Sequence, residues 1–349
     1  MLNTYDKIKN WLINWFIGNS GIEDKKIKRN LNANYLEDGW IDSLEFIKFV
    51  SDIEEYFGIT FSNDEFQNRE FSTIDGLTNV IKLRTMENKI NKYHYAKEDI
   101  YRSLRKIGLK VGDCVFVHSN IGFFGILKEA ESPEDYYRIF KDVIFEVIGK
   151  EGTLIVPTFS YSYCHNEIFV LEDTPGMGGI FAEMVRCDPE STRSIDANFS
   201  IAAIGKRAKY FTKYPPENSF GKNCFWERFL GLKGKLVNFN FDAGSTFIHY
   251  VEKQLGVPYR YDKVFFGTSV INGQKKSGKF YHFVYDLNKP SNGPDFTKFY
   301  KKAKELNLVN IENLGKGQIV SITAEDTFKL IRSELKINSA FLIKGDGVI

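Results

Sequence analysis

Two short stretches carry residue types at spacings that could do chemistry. In Ser245-Thr246-Phe247-Ile248-His249-Tyr250-Val251-Glu252 the pattern is helical after Asp242-Ala243-Gly244. His249 and Glu252 stand three residues apart and share a helix face, as do Thr246 and His249. A carboxylate beside an imidazole fixes its tautomer and raises its basicity, which suits the pair to taking a proton near neutral pH. The same spacing serves a surface His paired with Glu for solubility. A di-iron reading would need further Glu-x-x-His copies on other helices, and the chain shows none. The second stretch is GWIDSLEFIKFVSDIEEYFGI, where Ser43 heads a helix. A serine there sits beside unpaired backbone N–H groups and the positive end of the helix dipole, which suit a phosphate ester. Asp42-Ser43 also has the plain reading of an N-cap.

Both stretches need elements to position them. At 349 residues the chain is long enough for two domains, with 43% hydrophobic and 26% charged residues, an ordinary globular balance. A net charge of +2 argues against a nucleic-acid or anionic-membrane partner. Its distribution is uneven: residues 1–90 hold 15 acidic and 11 basic side chains, and the remainder 30 and 36. Opposite signs on two parts of one chain favour their docking at short range. Four Cys without regular spacing exclude a disulfide scaffold, and the N-terminus has neither a cleavage site nor a membrane span, so a cytoplasmic protein is the plain reading. No GxGxxG, P-loop or three-ligand metal spacing is present.

The texture changes near residues 84–95. Before it the pattern is helical and lacks Pro, with Ile8, Trp11, Leu12, Trp15 and Phe16 on one stripe. A second helix carries Phe46, Phe49, Val50, Ile53 and Phe57 and stops at Gly58, and Ser72, Thr73 or Asp75 caps a last one. Beyond it strands such as CVFVHS, TLIVP and KLVNFNF alternate with helices, among them Tyr137–Ile148 and a helix from about Ser245 to Leu255 ended by Pro258. The fold-class expectation is therefore α/β, a mixed α+β domain with a central sheet, preceded by a small all-α four-helix domain. The boundaries are 1–88 and 89–349.

The Asp42-Ser43-Leu44 triplet at the head of the second helix resembles the phosphopantetheine attachment site of acyl and peptidyl carrier proteins, and the likeness covers about residues 1–88. It implies 4'-phosphopantetheine on Ser43 as cofactor, with a phosphopantetheinyl transferase and an acyl-loading enzyme as partners. Glu45, Asp52, Glu54 and Glu55 would then face a basic partner enzyme. From about Tyr95 onward the chain resembles the aminoglycoside 3-N-acetyltransferase family. The matching segments come in family order: GLKVGDCVFVHSNIG, EGTLIVPTFSYS, TPGMGGIFAEMVRCDPESTRS and GSTFIHYVE. The resemblance implies acyl transfer from a thioester, carrier-bound or coenzyme A, to an amine on a sugar. It maps His249 to the catalytic base and Glu252 to its partner, and it places His118, Ser119, Thr158, Arg193 and Ser194 along the thioester cleft.

Two departures stand out. Asp196-Ala197 replaces the family's His-Pro after Arg193-Ser194, and Phe241-Asp242 replaces a Gly-His pair. Both put the usual aminoglycoside acceptor in doubt without touching His249. The oxyanion formed during attack needs donors, and backbone N–H groups at the Gly-rich turn or the Thr246 and Ser119 hydroxyls are open choices. Cys114 reads as strand core, and Cys164 adjoins His165 as a sequence neighbour that points away, so direct attack is preferred to an acyl-Cys. The resulting expectation is a fused carrier and N-acyltransferase acting on an amino sugar or a nucleotide-linked amino sugar, with a homodimer as an allowed assembly. The rivals are a coenzyme A-dependent antibiotic acetyltransferase with an idle carrier, and a non-catalytic module that presents the carrier.

Overall fold

The computed structural model of the chain describes residues 4–61, 63–66, 69–85, 93–213, 217–286 and 293–344. They group into two units. One contains Met1–Ile100, Asn120–Phe140 and Asn313–Gln318, the other Tyr101–Ser119, Lys141–Glu312 and Ile319–Ile349. The expected boundary between residues 88 and 89 lies outside the described residues.

The first unit is built on helices: α1 (Thr4–Asn19), α2 (Asp24–Arg29), α3 (Ser43–Phe57), α4 (Asn63–Phe66), a 3-10 turn at Arg69–Ser72, and α5 (Ile74–Arg84). The stripe of α1 turns inward as its spacing predicts, with Ile8, Leu12, Trp15 and Phe16 buried and Trp11 half-buried at the edge. From α3, Phe46, Phe49, Val50 and Ile53 meet it, and the Phe16 and Phe49 rings pack edge-on 4.9 Å apart. Asp42 starts α3 with a capping box: its Oδ1 accepts the Leu44 and Glu45 N–H groups at 2.8 Å, and Glu45 Oε2 accepts the Asp42 N–H at 2.9 Å. Gly58 ends the helix at φ +63°, where a side chain would be strained. Of the three candidate caps for α5, Thr73 is the one used, through its bond from Gly76 N–H at 3.1 Å.

One expectation for α3 is corrected here. Glu54 faces no partner enzyme, because it is only 4% exposed. Its carboxylate pairs with Lys316 and lies 3.0 Å from His94 Nε2, and it accepts the Phe61 N–H at 2.9 Å. Asp52 is likewise engaged, accepting the Trp15 indole N–H at 2.6 Å, and Glu45 belongs to the cap. Of the four acidic residues only Glu55 is fully on the surface.

Further along the chain come α6 (Lys97–Lys106), β1 (Cys114–Ser119), α7 (Pro133–Ile148), β2 (Thr153–Pro157), β3 (Phe169–Val170), α8 (Ile180–Cys187), β4 (Thr192–Arg193), β5 (Ile201–Gly205) and α9 (Ala208–Thr212). They are followed by α10 (Phe225–Gly231), β6 (Lys235–Phe239), α11 (Phe247–Leu255), β7 (Arg260–Ile271), β8 (Gln274–Tyr285), α12 (Thr297–Glu305), β9 (Asn310–Leu314), β10 (Gly317–Thr323) and α13 (Ala324–Ile337). The central sheet has the order β4-β5-β2-β1-β6-β10-β9, so the fold is the mixed α/β arrangement expected. Strands β2, β1 and β6 are parallel, and β5 and β10 run antiparallel beside them. A smaller sheet, β3-β7-β8, carries a hairpin with twelve-residue arms. The core is aromatic, with Phe116, Trp226, Phe229 and Phe247 all buried in one cluster.

The chain leaves β1 toward β2 on one side and leaves β6 toward β10 on the other. The carboxyl ends of β1 and β6 therefore flank a topological switch point, the place where open α/β sheets bind ligands. Helix α11 follows directly from β6. It begins at Phe247 rather than Ser245, and Gly256 in the left-handed region ends it two residues before Pro258, which has no part in stopping it. Among the described residues no helix is long and apolar enough to cross a membrane.

Candidate active site

Helix α11 brings His249 and Glu252 onto one face as their spacing requires, with His249 Nδ1 3.0 Å from Glu252 Oε2. The Glu252 carboxylate is fully buried, whereas the His249 side chain is 22% exposed and so can meet a substrate. Two further residues hold Glu252, and sequence reasoning missed both. Tyr259 donates its hydroxyl to Oε1 at 3.0 Å, and Arg260, at the start of β7, places Nε 2.9 Å from Oε2. The guanidinium also donates from Nη1 to the Phe283 carbonyl at 2.7 Å and lies over the Tyr285 ring, 3.5 Å from its centre. Its Nη2 is 2.7 Å from His249 Nδ1. Burial first, and the Arg260 charge second, hold the His249 pKa below its ordinary value, while Glu252 opposes them. The ring is therefore neutral at physiological pH. No spacing rule announces Tyr259-Arg260, because a turn rather than a helix joins them to Glu252.

At the switch point, His118 and Asn238 are register partners on β1 and β6. The Asn238 amide donates to the Asp242 carbonyl and, at 3.2 Å, to the Gly244 carbonyl, so its Oδ1 faces His118 Nδ1 at 3.3 Å. That orientation makes Nδ1 the protonated nitrogen and leaves Nε2 as an acceptor. Burial lowers the His118 pKa to about 4. Asn238 thus ties His118 to the turn that leads into α11. Asp242 supports the same turn, with Oδ1 accepting the Gly244 N–H at 2.6 Å. Thr246 occupies the N-cap position of α11 without a side-chain capping bond. The Ser119 and Ser245 hydroxyls are buried and lack a hydrogen-bond partner among the described residues. Such orphaned donors fit a ligand oxygen.

The remaining expected cleft residues are spent on the protein itself. Arg193 donates to the carbonyls of Leu171 at 3.1 Å, Thr174 at 2.5 Å and Thr158 at 2.9 Å, and to Ser200 Oγ at 3.2 Å. Thr158 is fully buried with its hydroxyl 3.0 Å from that of Ser200, and Ser194 Oγ accepts the Ile201 N–H at 2.9 Å. Together they lock the loops beyond β2 to β5. Asp196, one of the departures from the family pattern, is a buried turn former. Its Oδ1 accepts the Asn198 and Phe199 N–H groups at 2.9 and 2.8 Å, and Oδ2 accepts the Ser219 hydroxyl at 2.6 Å. Cys114 is core, as expected. Cys164 Sγ lies 3.6 Å from His282 Nδ1, and burial pushes its thiol up to about 11, which keeps it protonated.

In the first unit Ser43 is half-buried as the first residue of α3. The capping role belongs to Asp42, so the Leu44 and Glu45 N–H groups expected to be open beside Ser43 are already bonded. The Ser43 hydroxyl itself has no partner among the described residues.

Comparison with known proteins finds two families along the chain. The profile of the phosphopantetheine attachment site matches residues 10–81, and that of aminoglycoside 3-N-acetyltransferase matches residues 116–336. No curated protein matches the chain. Among solved structures, AAC-IIIb in a binary complex with CoASH is 16% identical at a TM-score of 0.61, covering 69% of this chain and 96% of that one. AAC-VIa bound to sisomicin is 20% identical at 0.60, covering 70% and 98%. YokD from Bacillus subtilis is 16% identical at 0.58, covering 71% and 96%. At these identities the likeness is one of fold. The acetyltransferase profile spans well over half of the chain, which therefore belongs to the aminoglycoside 3-N-acetyltransferase family, an N-acetyltransferase with a phosphopantetheine carrier domain ahead of it.

Proposed function

We propose that the chain transfers an acyl group from a pantetheine thioester to the amine of an amino sugar, with Ser43 bearing the phosphopantetheine and His249 as general base. The observation that carries this reading is the cluster of His249, Glu252, Tyr259 and Arg260, built on the helix that follows switch-point strand β6 and on the start of β7, in a family of N-acetyltransferases. When bound, the prosthetic group supplies a thioester whose carbonyl is open to an amine. In the tautomer whose Nδ1–H is held by Glu252, His249 takes the amine proton on Nε2 as the C–N bond forms and passes that proton to the departing thiolate as the C–S bond breaks. The unpartnered Ser119 hydroxyl is our candidate donor for the oxyanion, with Thr246, three residues before His249, as the second. Direct attack is favoured over an acyl-Cys because the one thiol beside an imidazole, Cys164, is held protonated by burial.

The neighbouring structures support one other reading. AAC-IIIb was solved with CoASH and AAC-VIa with sisomicin, so a coenzyme A-dependent aminoglycoside acetylation with an idle carrier is the alternative. One experiment separates them. The full chain is treated with a phosphopantetheinyl transferase, acylated, and offered a panel of amino sugars, with product mass as the readout. Loss of transfer in both Ser43→Ala and His249→Asn supports the proposal. Undiminished acetylation of aminoglycosides from acetyl-CoA by Ser43→Ala would establish the alternative.

A further inference from the structure

Within the first unit, a cavity of about 350 Å³ lies between α3 and the segment 126–136. Leu44, Ile47 and Ser51 of α3 form one wall, and Ile126, Pro133 and Tyr136 face them. The volume is in the range that holds small molecules, roughly 300–1,000 Å³. Ser43, Ile47 and Ser51 stand at i, i+4 and i+8, so the serine with the unpartnered hydroxyl belongs to the same helical stripe as two residues of the wall. From Ser43 to Ser51 is about 12 Å along the helix axis. The segment just before the opposite wall presses closely on the first turn of α3. A Cβ at Gly122 would come within 2.9 Å of the Ser43 carbonyl oxygen and 3.3 Å of Ile47, so only glycine permits that approach. The Phe123 ring meets Phe46 at 5.0 Å and closes the packing.

We propose that this cavity is the resting berth of the pantetheine chain carried by Ser43, as free thiol and when acylated. The inference rests on the carrier reading above and adds where the chain lies between turnovers. The lining fits the cargo: Leu44, Ile47, Ile126, Ala130, Pro133 and Tyr136 offer carbon to the methyl groups and acyl tail, and the Ser51 hydroxyl with the charged Lys48 and Glu131 offers polar partners to the amides. A thioester lying along α3 is shielded from water until it leaves for an acceptor.

The test uses the full-length chain converted to its holo form with a phosphopantetheinyl transferase. The arm thiol is alkylated with iodoacetamide, and the Ser43 peptide is followed by mass. Berthing predicts alkylation at least about tenfold slower than for free pantetheine, because only the unberthed fraction reacts. Ala130→Trp, which fills the cavity from its rim, should restore the free rate. As a measure of position, Ser51→Cys should form a disulfide with the arm under mild oxidant, whereas Tyr56→Cys, well round the helix from Ser51 and 66% exposed, should not. Modified Ser43 with free-rate alkylation and no Ser51→Cys disulfide overturns the berth alone. An unmodified Ser43 overturns the carrier reading and the berth with it.

Discussion

Arg260 Nη2 lies 2.7 Å from His249 Nδ1, nearer than the Glu252 carboxylate oxygen at 3.0 Å. Arginine stays protonated, so at that separation Nδ1 accepts and the ring proton sits on Nε2. Acting as a base at Nε2 requires the other tautomer, with Nδ1–H given to Glu252 while Arg260 keeps its hold on Glu252 and the Phe283 carbonyl. Arg260 is therefore a positioning residue that also opposes the imidazolium. Arg260→Met should raise the His249 pKa and move the acid limb of the kcat/KM profile to higher pH. An NMR titration of the His249 ring beside the pH–rate profile checks this, and an unmoved limb would remove Arg260 from the mechanism.

Substitutions at His249 and Glu252 should separate chemistry from architecture. His249→Asn removes a partly exposed ring and should cost about 10²–10⁴ in kcat with a small change in Tm. Glu252→Gln leaves Arg260 buried without its charge partner, so it should lose stability by about 3–5 kcal/mol as well as activity. Thermal melts run beside steady-state rates distinguish the two. Full activity in His249→Asn would end the general-base role.

Much of this was legible in the sequence, for definite reasons. The stripe of α1, the helix at Ser43 and the His249–Glu252 pair depend on local periodicity, and a helix converts sequence spacing into shared faces. The polar contacts that join distant segments were not legible. Nothing near Glu54 signals that His94 and Lys316 will pair with it, so a buried carboxylate read as a surface one. Arg193 and Thr158 occupy family cleft positions, yet their donors and acceptors bond to loop carbonyls and Ser200, a use visible only once β2 and β5 are side by side. Asp196 departs from the family's His at a position expected near the substrate, and its turn geometry gives it a structural task that no local spacing announces.

The Glu54 cluster makes its own prediction. Glu54 and Lys316 are each 4% exposed and form a buried ion pair. Removing either partner leaves the other charge buried, so Glu54→Gln and Lys316→Met should each destabilise by about 3–5 kcal/mol. The double substitution should cost less than the sum. Urea melts of all four forms give the coupling, and strict additivity would mean that the two side chains act separately.

Acid should unfold the chain earlier than its carboxylates alone would require. His94, in the first unit, and His282, in the second, are both buried, and burial lowers each pKa from 6.5 to about 4. For His94 the geometry gives a second cause, since Nδ1, the one nitrogen open to a proton, already accepts the Ile126 N–H at 2.6 Å. The unfolded chain binds these protons near pH 6.5 and the folded chain only near pH 4. Stability therefore rises with pH across that window, is complete above about 6.5, and is lost as pH falls toward 4. Each histidine contributes at most about 3 kcal/mol by this linkage. Urea midpoints taken from pH 7 to pH 4.5 should fall steadily, and His282→Gln, which cannot titrate, should flatten part of the slope. A midpoint that stays constant down to pH 5 would mean that both rings take up their protons at the same pH in the folded and the unfolded chain.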